Sequence, residues 1–105
     1  MSNITPETLV NIGGNEWISG DHHRIYFNDL ATLYGLEFAT YNTGNISSAT
    51  LNGEKISNSK ARKLSTTLDF GKLWFDVTKG EFASRNLPSD MANAIIDTIN
   101  NKAAH

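Results

Sequence analysis

The 105-residue sequence predicts an α+β domain: a mainly antiparallel sheet of five or six short strands covered by amphipathic helices, the last of them C-terminal. Three observations carry this. Short alternating runs are separated by turn residues, with Asn52-Gly53 as the strongest hairpin signal, because both positions tolerate the positive φ of a two-residue turn. Two later stretches instead repeat apolar residues at three and four positions. Finally, repeats, low-complexity tracts and linkers are absent, so residues 1–105 read as a single compact domain.

In order, TPETLVNIGG predicts a short helix capped by Thr5, with Pro6 at its first position and Gly13-Gly14 at its end. EWIS and HRIYF predict a hairpin about Gly20-Asp21, followed by a brief helix capped by Asn28 or Asp29 and stopped by Gly35. LEFATYNTGNISSATLNGEKI predicts antiparallel strands with turns at Asn42 to Asn45 and at Asn52-Gly53. SNSKARKLSTTL predicts a helix burying Ala61, Leu64 and Leu68 and turning its basic side outward. KLWFDVTKGEFASRN predicts a second hairpin with Lys79-Gly80 at the turn. SDMANAIIDTINNKA predicts a helix capped by Ser89, with Ala92, Ile95, Ile96, Ile99 and Ala103 on one stripe.

Composition excludes several classes. With 39% apolar residues and a formal charge of −2, the chain resembles an ordinary soluble globular protein. No apolar run approaches the roughly 18 residues of a membrane span. MSNITPETLV lacks the basic and apolar segments of a secretory signal, so the expected location is the cytoplasm of the producing host. Zero cysteines exclude disulfides, thiolate metal sites and cysteine nucleophiles. The charge is uneven: residues 1–54 hold Arg24 against six acids, a balance of −5, and residues 55–85 hold seven basic residues against three acids, a balance of +4. One basic band, including Lys60, Arg62 and Lys63, is too little for nonspecific duplex DNA binding, which needs many phosphate contacts.

The densest polar stretch is GDHHRIYFND, residues 20–29. Alternation on a strand sends His23, Ile25 and Phe27 to one face and His22, Arg24, Tyr26 and Asn28 to the other. The second set combines donors with an aromatic ring and suits a planar, polar or anionic ligand. Arg24, alone among six acids, is the expected anion-binding group, with a salt bridge to Glu16, Asp21 or Glu37 as the competing reading. Neighbouring histidines on a strand point apart and His105 is remote, so no metal and no cofactor are expected. GxSxG, HExxH, phosphate-binding glycine loops and spaced carboxylate pairs are all missing, so no enzyme is expected. On the second hairpin, Trp74 and Phe75 occupy opposite faces: one belongs to the core and the other is free to stack on a base or a partner.

YNTGNISSATLNGEKISNSKARKLSTTL, followed by LWFDVTKGEF, resembles small accessory proteins of phages and prophages, over residues 16–87. Such proteins are often inhibitors of bacterial immunity, which implies a noncatalytic binding protein. Two mechanisms within that class differ physically. One is similar to the Thoeris anti-defence sponges, which sequester cyclic ADP-ribose-type signals in α+β oligomers. That likeness implies Arg24 for phosphate, Trp74 or Phe75 for base stacking, and Arg85 or Asn86 for the polar edge of the base. The other resembles an anti-CRISPR that binds an effector protein, with Glu16, Asp21, Asp29 and Glu37 standing in for phosphates. A third alternative is a structural or assembly protein of a phage particle. A small core and the wide stripe of Ile95, Ile96 and Ile99 predict a homodimer or higher homo-oligomer.

Overall fold

The computed structural model describes residues 5–104. The fold is α+β, with seven strands divided between two antiparallel sheets and four helices. Consecutive strands pair within both sheets, and the β2–β6 pairing alone joins segments remote in the chain. β1 (Asn15–Ser19) and β2 (His22–Phe27) form the first hairpin, β6 (Lys72–Asp76) and β7 (Glu81–Arg85) form the second, and β2 pairs with β6. The resulting order is β1-β2-β6-β7. β3 (Leu36–Thr40), β4 (Ile46–Leu51) and β5 (Glu54–Ile56) make the smaller sheet in chain order.

Local signals fix most ends. In α1 (Pro6–Asn11) the Thr5 hydroxyl accepts from the Thr8 amide at 3.2 Å, and Pro6 occupies the first position, where its missing N–H costs nothing. In α3 (Asn58–Phe70) Ser57 caps by accepting from the Lys60 amide at 3.2 Å. The Asn52-Gly53 turn has φ of 52° and 86°, the two positive values a type I′ hairpin requires. Gly35 ends α2 (Leu30–Tyr34) at φ 91°, and a Cβ there would overlap the Asn52 side chain. That close approach ties α2 to the β4–β5 turn, where the Asn52 amide donates to the Gly35 carbonyl at 2.8 Å. Two cap expectations need correction. Asp29 stands at the start of α2 but its side chain makes no capping bond, and α4 (Ser89–Ala103) begins at Ser89 with Pro88 in the cap position.

One core joins both sheets. Ile25, Phe27 and Leu73 of the larger sheet meet Leu36 and Ala49 of the smaller one, and all four helices contribute, through Leu9, Leu30, Leu33, Ala61, Leu68, Met91, Ala92, Ile95 and Ile99. Ile95 and Ile99 are fully buried and Ile96 packs partly against them. The α4 stripe is therefore consumed by the chain's own core, because four helices and two sheets converge on it. Among the described residues, no helix is long and apolar enough to cross a membrane.

Candidate functional site: the outer face of the four-stranded sheet

Cross-strand partners share a face, so the register assembles the site. Trp17 pairs with Arg24, Asn15 with Tyr26, Tyr26 with Trp74, and Arg24 with Asp76. These residues project away from the Ile25–Leu73 core, and the helices bury their apolar residues on that opposite face. The outer face is left to its own side chains.

Arg24 lies at the centre. Its guanidinium carbon sits 4.9 Å from the Trp74 ring centroid and 5.7 Å from that of Trp17, both within cation–π range. One terminal nitrogen donates to the Tyr26 hydroxyl at 3.0 Å, and the buried Nε has no partner. The rings hold one another as well. Tyr26 and Trp74 centroids are 5.6 Å apart, Trp17 meets Tyr26 edge-on at 6.1 Å, and Trp17 stacks on His22 at 6.5 Å. Trp74 is thereby buried, at 8% exposure, outside the contiguous core of the inner face, whereas Trp17 keeps 42% of its surface in water.

Among the described residues, Arg24 has no ion pair. Glu16 is engaged by His23 at 2.7 Å on the inner face. Asp76 stands directly opposite Arg24, yet its carboxylate accepts the Lys79 amide at 3.2 Å and closes the β6–β7 turn. Asp21 lies in the β1–β2 turn and Glu37 on the other sheet. The guanidinium is oriented by aromatic rings and a hydroxyl while its charge stays free for an anionic group.

The remaining expected residues scatter. Phe75 is a correction: it faces the core, edge-on to Phe82 with centroids 5.0 Å apart, because β-strand alternation gives the outer face to Trp74. Trp74 is the outer aromatic, but its ring lies beneath Arg24 and is closed to flat stacking. Arg85 shares the outer face but pairs with Lys72, at the far end of β6 from the strand position facing Arg24. Asn86 follows β7 at φ 60° in a bend, outside the ladder. Asn28 is exposed just beyond β2, where it and Tyr26 line a cleft of about 340 Å³ together with Asp29, Asp69 and Lys72. His22 and His23 point to opposite faces, and His105 lies outside the described residues. Trp17 is the residue that sequence reasoning missed. The two-residue Gly20-Asp21 turn was the available signal, since it sets Trp17 opposite Arg24. Comparison with protein-family models, curated proteins and solved structures returns no match.

Proposed function

We propose that this chain is a noncatalytic binding protein of the phage counter-defence type, acting inside the host cell by docking the outer face of its four-stranded sheet onto an immune effector protein. The observation that carries the reading is Arg24, held between two indoles with its charge uncompensated on a face without a helix over it. Arg, Trp and Tyr are the side chains whose loss costs most at protein interfaces, and here they form one contiguous patch. A carboxylate from the partner, docked on Arg24, would gain from the desolvation that the rings already provide. The counter-defence class itself rests on the resemblance over residues 16–87.

Sequestration of a nucleotide-derived signal is the second reading, favoured by the exposed Trp17 beside Arg24, which offers a ring for a base and a fork for a phosphate. Two features weigh toward the protein partner. The cleft that Tyr26 and Asn28 both line carries two carboxylates, Asp29 and Asp69, against one cation, Lys72, a balance that disfavours phosphate, and Arg85 stands apart from Arg24.

The test uses Arg24→Ala and Arg24→Lys, expressed in bacteria carrying individual immune systems and challenged with phage. Both variants should fold, Arg24→Ala should lose the protection that the native chain gives the phage against the immune system, and lysine should restore it only in part because it lacks the planar fork. Native mass spectrometry with cyclic nucleotides separates the two readings, since stoichiometric retention of a nucleotide selects sequestration. Full protection by both Arg24 variants would overturn the assignment of this face.

A further inference from the structure

The four open strand edges of the two sheets are unequally guarded. β7 carries Glu81 and Arg85 at its ends. β5 is three residues long and bears Glu54 and Lys55. β3 bears Glu37 and a register shift at Ala39/Thr40. Charge, shortness and bulging are the usual devices that keep another strand from adding on. β1 has no bulge and a single charge, and it is longer than β5. Its five residues, NEWIS, pair with β2 in unbroken register, all five are exposed, and proline and lysine are absent. Ile18 is 65% exposed, and the one charge, Glu16, is already engaged by His23.

The hairpin dictates which backbone groups of β1 remain free. A two-residue turn is closed by a hydrogen-bonded pair, here Ser19 with His22, and such pairs alternate along an antiparallel ladder. Trp17 and Asn15 therefore bond to β2. The His23 carbonyl agrees with this phase, since it turns away from β1 to accept the Val77 amide at 2.9 Å. The amides and carbonyls of Glu16 and Ile18 point outward, unused by their own sheet.

We infer that β1 pairs with β1 of a second copy of this chain, antiparallel about a two-fold axis through Trp17, so that two four-stranded sheets become one of eight strands. In this register Glu16 exchanges hydrogen bonds with Ile18 of the partner subunit, and Ile18 with Glu16 of the partner subunit. Charge selects it. Sliding two residues one way sets Glu16 against Glu16 of the partner subunit, and sliding the other way sets it against the Gly20-Asp21 turn with its acid. At the axis the two Trp17 side chains form a close non-hydrogen-bonded pair, and the two Arg24 patches merge into one continuous face. This inference concerns the edge of the sheet and stands whether or not its outer face docks an effector.

The chain has no cysteine, so a single Trp17→Cys substitution reports the axis. A non-hydrogen-bonded antiparallel pair holds its Cα atoms about 4.5 Å apart, inside the range a disulfide spans. Mild oxidation should convert Trp17→Cys to a covalent dimer well ahead of Ser19→Cys, which lies off the axis. Ile18→Pro removes an outward N–H that β2 does not use. It should raise the dimer dissociation constant by about tenfold or more, measured by sedimentation of the full chain, with circular dichroism unchanged. Ile18→Lys repeats the test without constraining the backbone. A native chain that sediments as a strict monomer at submillimolar concentration overturns the inference. So does a dimer indifferent to both Ile18 variants, and cross-linking of Ser19→Cys as fast as Trp17→Cys overturns the register.

Discussion

Leu73 and Trp74 are neighbours on β6, and both are hidden from water by different means. Leu73 is fully buried in a core built by four helices and two sheets. Trp74, 8% exposed, is covered on the other face by Arg24 and Tyr26, side chains of its own sheet. Around Leu73 the inner face is closed by helices and the second sheet, so packing there is set by the need to exclude water. The outer face gathers rings and a cation where a sheet exposed to water needs only polar residues. That combination is what the docking role proposed for this face would use.

The sharpest way to break this contrast is to truncate both neighbours. Leu73→Ala should lose about 3 kcal/mol in chemical denaturation, because the surrounding core collapses only partly around the missing atoms. Trp74→Ala removes a larger side chain yet should lose only about 2 kcal/mol, since water enters an open face where a dry cavity would form in a core. A greater loss for Trp74→Ala than for Leu73→Ala would mean that the outer face is part of the structural core. Tyr26→Phe refines the picture at the small end. It deletes the hydroxyl that accepts from Arg24 at 3.0 Å and should lower stability by about 0.5–1 kcal/mol. In the phage-challenge assay the same variant should weaken protection less than Arg24→Ala, because the two indoles still orient the guanidinium.

The smallest expected effect belongs to the inner rim. Glu16→Gln removes a partly exposed pair with His23 and should shift stability by less than about 1 kcal/mol, read as a change in thermal midpoint. It should also leave the Arg24 face untouched, because Glu16 projects from the other side of β1. A loss of protection comparable to that of Arg24→Ala would show that the two faces are not independent.

Helix starts at Thr5 and Ser57, the turns at Asn52-Gly53 and Lys79-Gly80, and the α2 stop at Gly35 were all legible in the chain, because each depends on φ preferences and hydrogen bonds within a few residues. Alternation likewise separated Arg24 and Tyr26 from Ile25 and Phe27 before any partner was known. What residues 20–29 could not disclose was company. Pairing of β2 with β6 joins segments remote in sequence and depends on the whole core, so only the fold divided seven strands into two sheets and sent Phe75 inward with Trp74 outward. The same global packing drew Ile95, Ile96 and Ile99 into the chain's own interior, removing the surface from which an oligomer was expected. It also brought Trp17 over Arg24 and turned Asp76 toward its own loop, leaving the cation without a carboxylate. Short-range preferences choose local shape residue by residue, whereas which faces meet follows from burying the most apolar surface at once, a property of the assembled molecule.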